Sequence, residues 1–567
     1  MKPSVFLVSV RALLGVVMLF VSYLVLLTSV ALYAGLVVLL VKAPPDDFSR
    51  LLLTVVFSTP VIGTVLLSLY AAGRPAQDPE GSVEVTPEEE PALWNTVHEL
   101  AGRLGVRPPT RLYLILQANA MVLEHATLLG LLGGTRRLYV GMPLLVGLTR
   151  DELEAVICHE LGHYAGRHTA LSSVTRRGAT ALESILERLG RHPMVQDENL
   201  YHPAYTWYVL FSGYARLYTR LTSAIGRRQE FEADRMSAQV VGAVVMADAL
   251  RSAHSLALAW TRLLCDYLEP VAGAGWLPDD PFAVFAQMLA APEYQDTLRR
   301  WRNSPPTRPA SRFDRHPPLA QRLDALAAVD AHADAAAPAC VPVPAIEVLT
   351  DPDQRAAELS LMLLPQFAGD PDTTWLATAA WASTAAATLT GESAQALARA
   401  AGRSGRTTRP SLQTVLEALA KAPETLAPAR ALPGALRALL YQVLVRDGLA
   451  TGWRLSWVGQ SRAVADQALL SELHELTETV DAQRLEALLR TLPVDLTAPL
   501  LVRRPAAQEE APPAEPEEEF GLPPELEPYG GPEDDEPLRW EHPVLKAGIT
   551  LIVLVIVLGS TLAAVYG

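Results

Sequence analysis

Within Cys158-His159-Glu160-Leu161-Gly162-His163, the pattern H-E-x-x-H puts two imidazoles and a carboxylate within five residues. On a helix, His159 and His163 stand one turn apart on one face, so both can reach a single metal ion. Glu160 lies about 100° round from His159, close enough to touch a water on that metal without being a ligand. The set suits Zn²⁺, which lowers the pKa of a bound water while the carboxylate takes its proton. Chance alone produces the pattern in roughly one or two of a hundred chains this long, so its setting decides its meaning.

The setting is a helix. Thr149-Arg150-Asp151-Glu152 is a capping box that starts one just before the motif. Asp151, Glu152 and Glu154 suit the positive end of its dipole, and Arg167 and His168 fall near its expected end. Leu153, Val156, Ile157, Leu161 and Tyr164 keep a helical apolar spacing. Upstream, Val83 and Val85 alternate like a short strand, and Pro91 to Leu104 reads as a helix closed by Gly105. Arg111–Gln117, Met121–His125 and Arg137–Val140 alternate as strands, and Pro143 to Gly147 is a short helix. The expectation is a small sheet laid against the motif helix.

Downstream the pattern is mostly helical. Tyr201 to Tyr218 holds seven aromatics, with Trp207, Phe211, Tyr214 and Tyr218 on one stripe. Such a stripe reads first as core, with a membrane-facing or substrate-facing wall as the alternative. Then comes Arg228-Gln229-Glu230-Phe231-Glu232-Ala233-Asp234. Glu230 and Asp234 share a helix face, while Glu232 points elsewhere. A catalytic zinc site with two histidines needs a third protein ligand, for which Glu230 is the candidate. Asp234, one turn on, could accept the second N–H of a ligand histidine. Taken alone, the run is also what an ordinary charged helix face looks like. His168 fits the helix end better than the metal, and His125, His202 and His254 lack a partner at ligand spacing. His474-Glu475 imitates the motif without its second histidine.

Three runs in order, Leu144 to His163, Arg228 to Asp234 and His316-Pro317-Pro318-Leu319-Ala320-Gln321-Arg322, resemble the HtpX and CAAX prenyl protease type 1 family of membrane zinc metalloendopeptidases. The resemblance covers about residues 78 to 330. It implies a zincin-like fold, one Zn²⁺ per chain, Glu230 as third ligand and Glu160 as general base. It further implies catalytic roles for His316 and Arg322. The family's Asn-Ala strand segment falls on Asn119 and Ala120, where it would bind substrate backbone. By the same resemblance, Asn119 and His316 bind that backbone or stabilise the tetrahedral intermediate. One departure stands out: the two spans often found between the H-E-x-x-H and the third ligand are not evident in 164–225.

Composition places the site at a membrane. Ala12 to Val41 and Leu51 to Ala72 carry no charge and are each long enough to span a bilayer, and Ala547 to Val565 forms a third such run. Residues 1–75 thus read as a transmembrane hairpin with spans at about 12–41 and 51–72. Residues 76–335 read as the metallopeptidase domain, 345–504 as a helical accessory domain, 505–543 as an acidic disordered linker and 544–567 as a C-terminal anchor. The overall class is α+β, mainly helical, with transmembrane helices at both ends. Between Pro505 and Leu538 the linker carries twelve acidic residues and no basic ones, against a net charge of −15 for the chain, and it cannot build a core. Arg in place of Lys, with abundant Ala, points to a GC-rich bacterial source. A slight basic bias puts the catalytic domain on the cytoplasmic side of the inner membrane. Three widely spaced cysteines (Cys158, Cys265 and Cys340) exclude a disulfide framework, and no basic stripe suggests nucleic acid.

The expected partners are a protein or peptide substrate, membrane lipid and, for the helical domain 345–504, a docked protein. The expected function is hydrolysis of membrane-associated or misfolded proteins in quality control. The rival is a membrane scaffold with a structural zinc site, which an intact Glu160 argues against.

Overall fold

The computed structural model describes residues 5–42, 78–124, 135–164, 203–303, 317–330, 342–367, 373–428 and 430–500, with a few isolated positions besides. Helix α1 (Val5–Lys42) comes first. A four-stranded sheet follows, made of β1 (Val83–Val85), β2 (Arg111–Ile115), β3 (Ala120–Glu124) and β4 (Arg136–Gly141) in the order β1-β2-β4-β3. Between β1 and β2 lies α2 (Pro91–Leu104), opened by a proline whose missing N–H costs a first turn nothing. Gly105 closes it at φ 69°, in the left-handed region where glycine has no Cβ penalty.

The sheet's alternation is legible in its two faces. Leu112, Leu114, Val122, Leu138 and Val140 enter the main core, whereas Tyr113, Ile115 and Tyr139 form a small cluster on the other face. Tyr113 and Tyr139, partners across β2 and β4, stack with ring centres 5.1 Å apart. At the end of β4, Gly141 donates its N–H to the Asn119 carbonyl at 2.8 Å. A Cβ on Gly141 would stand 2.0 Å from the Gln117 carbonyl, so only glycine lets the chain turn there.

After β4 come α3 (Met142–Gly147), the motif helix α4 (Arg150–Gly162), α5 (Pro203–Val241) and α6 (Ala243–Arg262). The aromatic segment and the Glu230 segment, read separately in the sequence, are one helix of 39 residues. Phe211 and Tyr218 are buried, as a core stripe requires, and the Tyr214 hydroxyl donates to the Met18 carbonyl of α1 at 2.6 Å. Beyond α6 the chain widens into a π-helix (Leu263–Leu268). It continues through α7 (Glu269–Gly273), β5 (Trp276–Pro278), α8 (Pro281–Ala290), α9 (Pro292–Asn303) and α10 (Leu319–Asp330).

Packing does not stop there. A 3₁₀ turn (Ala345–Val348), α11 (Pro352–Leu363), β6 (Thr374–Leu376) and the first half of α12 (Thr378–Ser404) add Ala345, Val348, Leu359, Leu363 and Trp381 to the core that holds the motif helix. β6 pairs in parallel with β5. The second half of α12 instead joins α13 (Leu412–Lys421), α14 (Leu432–Arg446), α15 (Gln467–Glu478) and α16 (Ala482–Thr491) around a second core. Counted over residues whose side chains are described, no helix is long and apolar enough to cross a membrane. The expected span at 12–41 falls on α1, which is helical throughout but has part of its side chains outside that set. The stretch 505–567, with the expected linker and final span, lies outside the described residues, as does nearly all of 51–72.

Candidate metal centre

The motif helix is anchored at its start from three directions. Thr149 Oγ1 accepts the Glu152 N–H at 3.3 Å, and Glu152 Oε2 accepts the Thr149 N–H at 2.9 Å, closing the expected capping box. Glu152 Oε1 also takes the Ser252 hydroxyl at 2.5 Å and Arg302 Nη2 at 3.2 Å. Residues 343–345 run alongside, with the Arg150 N–H on the Val343 carbonyl at 2.8 Å and the Ala345 N–H on the Leu148 carbonyl at 2.9 Å. The helix ends at Gly162, with His163 in the cap position. Arg167 and His168, expected near the helix end, lie outside the described residues. Cys158 is wholly buried and its thiol is pushed up to about 12 by that burial, so it packs as a neutral group.

Gly162 sets how near α5 can come. A Cβ there would meet the Ala233 Cα at 3.3 Å and its carbonyl at 3.4 Å, so the two backbones touch where α5 carries Glu230 and Asp234. His159 Nε2 lies 3.4 Å from Glu230 Oε2, and His163 Nε2 lies 3.5 Å from Glu230 Oε1. The imidazoles face each other edge-on, centres 4.8 Å apart at 76°. Nitrogen and oxygen ligands at 2.0–2.1 Å in a tetrahedral site are separated by about 3.4 Å. Each motif histidine thus has a Glu230 oxygen at about the spacing of two zinc ligands, and the two-imidazole, one-carboxylate donor set fits that ion.

Glu160 also lies close, its carboxylate within 4.8 Å of the imidazole donors. Glu230 offers one carboxylate oxygen to each ring, at 3.4 and 3.5 Å, from a second helix. It is 5 % exposed and backed by buried charge. Asp234, 1 % exposed, places Oδ1 3.0 Å from His159 Nδ1, the nitrogen turned away from Glu230. That contact fixes which ring nitrogen carries the proton, leaving Nε2 to a metal. Arg322 holds Asp234 in turn, donating Nε to Oδ2 at 2.8 Å and Nη2 to Oδ1 at 2.6 Å, with Nη1 3.5 Å from Glu230 Oε2.

Burial opposes a charge on His159, but the carboxylates of Asp234 and Glu230 outweigh it and raise its pKa to about 9 in the metal-free chain. Burial would likewise raise Asp234, and hydrogen bonds from Arg322 and His159 reverse this, holding it below the usual carboxylate value. Asp234→Asn keeps the size but breaks the bidentate Arg322 contact and the anionic acceptor for His159. Zinc affinity is expected to fall ten- to a hundredfold, measured by competition with a chromophoric chelator.

His159, Glu160, His163, Glu230, Asp234 and Arg322 therefore converge from α4, α5 and α10. Asn119 and Ala120 stand apart at the rim of the sheet, where Asn119 Oδ1 accepts the Ala120 N–H at 2.9 Å. His316 lies outside the described residues. The sequence reading missed Tyr164, whose hydroxyl donates to the Val122 carbonyl of β3 at 2.9 Å, and the 343–345 strap. Tyr164 carried a signal only as an apolar position of the motif helix, and the strap carried none.

Residues 87–330 match the family model of peptidase family M48. A protein named Protease HtpX homolog from Sulfurihydrogenibium sp. is 28% identical over 184 residues, 31% of this chain and 60% of that protein. The Protease HtpX homolog of Gemmatimonas aurantiaca is 26% identical over 256 residues, covering 44% of this chain and 80% of that protein. Protease HtpX of Histophilus somni is 26% identical over 203 residues, 34% of this chain and 68% of its own length. The match thus spans less than two thirds of the Sulfurihydrogenibium protein.

Proposed function

Since residues 87–330 place the chain in peptidase family M48, we propose that it is a membrane-anchored zinc endopeptidase acting on membrane-associated or misfolded proteins. The observation that carries this reading is Glu230 with one carboxylate oxygen 3.4 Å from His159 Nε2 and the other 3.5 Å from His163 Nε2. His159, His163 and Glu230 hold the metal. Zn²⁺ in that position supplies a Lewis acid that polarises the scissile carbonyl and makes water acidic. Glu160 takes the proton of the attacking water and hands it to the leaving amine nitrogen. Asp234 keeps the His159 proton on Nδ1, so that Nε2 could serve as the donor to a metal, and Arg322 holds Asp234 and Glu230 in place. Arg322 is a positioning residue on this account.

Substrate enters as an extended strand. Among the described residues β3 is an edge strand of the sheet, and it packs against the motif helix. Pairing through main-chain groups accepts any sequence, which suits a protease for damaged proteins. Helix α1 supports the membrane placement: its 38 residues extend about 57 Å, and Leu14, Phe20, Leu24, Leu27 and Leu32 are exposed. A slight basic bias favours the cytoplasmic face for the catalytic residues.

The full chain in detergent is expected to cleave an unfolded protein such as reduced casein. A strong chelator should remove the activity, and one equivalent of Zn²⁺ per chain should restore it. Cleavage that persists in chain shown by elemental analysis to contain no metal would overturn the proposal.

A further inference from the structure

Among the described residues no strand pairs with the outer edge of β3, but side chains partly occupy it. Gly141 N–H binds the Asn119 carbonyl, so the main-chain groups of residues 119, 121 and 123 face β4, while those of Ala120, Val122 and Glu124 face away from it. Two of these outward groups are held by side chains. Asn119 Oδ1 accepts the Ala120 N–H at 2.9 Å, and the Tyr164 hydroxyl donates to the Val122 carbonyl at 2.9 Å. Tyr164 is fixed there by a turn, its N–H on the Leu161 carbonyl at 2.9 Å, and by the Arg136 guanidinium 4.3 Å over its ring.

A strand added to β3 donates a peptide N–H to the Val122 carbonyl, the position that the Tyr164 hydroxyl holds. We propose that Tyr164 is a gate on the substrate edge, bound to Val122 in the free enzyme and displaced when an extended peptide takes that carbonyl. The inference rests on the peptidase reading and its strand-addition mode. Tyr164 directly follows His163, so the residue that yields to substrate adjoins a metal-holding histidine. Asn119 is the weaker half of the same cover, blocking an N–H that the peptide also needs. A covered edge also keeps β3 from pairing with other chains, and the test separates this protective role from a gate.

Tyr164→Phe removes the hydroxyl and keeps the ring under Arg136. In the Glu160→Gln background, a fluorescent extended peptide measured by anisotropy should bind about fivefold tighter with Phe at 164, the yield of one hydrogen bond no longer displaced. In the active chain the same change should lower KM about fivefold and leave kcat within twofold. Arg136→Gln, which loosens the ring without touching the hydroxyl, should shift binding in the same direction and covers the case that Tyr164→Phe folds poorly. Unchanged peptide affinity in both variants means edge protection only and overturns the gate. A tenfold loss of kcat at unchanged affinity overturns it too, by placing the hydroxyl in the chemistry. Chelator-sensitive cleavage with no peptide binding in either background rejects strand addition and the gate while sparing the peptidase; absent cleavage rejects the peptidase.

Discussion

Glu160→Gln is expected to lower kcat about a thousandfold while the purified chain keeps one zinc and its melting temperature. Gln is nearly the size of Glu and can still touch a water, but it accepts no proton at neutral pH. A positioned acid–base group contributes roughly 10²–10⁴ to a rate, and here one carboxylate both takes the proton from water and returns it to nitrogen. Its place beside His159 on α4 fixes its reach. The half-buried carboxylate lies within 4.8 Å of the histidine donors, and Glu230 reaches both rings from α5. Substitution should therefore separate chemistry from metal retention. Glu230→Gln makes the contrasting case, because it removes an anionic donor that contacts both rings and should lose the metal as well as the activity. Rates on a fluorogenic extended peptide, read beside elemental analysis of the same samples, check both. If Glu160→Gln retains more than a tenth of wild-type kcat, the proton moves through another group and the assigned mechanism is wrong.

What could be read ahead of the structure was whatever a local period encodes. The strands around Leu112, Val122 and Leu138 appeared through alternation, and the start of the motif helix through Thr149 and Glu152, because such signals involve neighbours within a few residues. Glu230 and Asp234 could be paired on one face by spacing alone. The metal role of that face could not be read so, since nothing local says that Ala233 packs onto Gly162. The bidentate clasp of Arg322 on Asp234 joins residues 88 apart and leaves no periodic trace. The strap of residues 343–345 works through backbone groups, which any sequence supplies. The sequence also suggested a break between catalytic and accessory segments near residue 340, where Ala and Pro accumulate. Packing ignores that composition, since Trp381 and Leu359 enter the core of the motif helix.

That shared core has a charged fastening, and Arg355→Ala is expected to destabilise the peptidase domain by about 3–5 kcal/mol. Glu90, at the start of α2, is 0 % exposed and keeps its carboxylate paired there. Arg355 Nε donates to Oε1 at 2.8 Å and the Thr350 N–H to Oε2 at 2.7 Å. Arg355 also holds Glu358 at 2.8 Å. Truncating the arginine strands a buried carboxylate with a single main-chain donor, and the cost comes from that uncompensated charge rather than from the value of the pair. For a folding unit of this size, Tm should drop by roughly 10 °C. Replacing both partners, as in Glu90→Gln with Arg355→Met, should cost less than Arg355→Ala alone, since no unpaired charge is left. KM should stay unchanged in Arg355→Ala below its melting temperature, because α11 contributes no residue to the metal site and acts only through the fraction of folded chain. By the same logic the core that holds the motif helix reaches past residue 330, where the family match ends. A chain cut at that point loses Arg355, the strap on α4 and Trp381 together, and should fail to fold. Should Arg355→Ala melt within 1 °C of wild type, the fastening carries no load, and residues 345–386 become an appendage that the peptidase can do without.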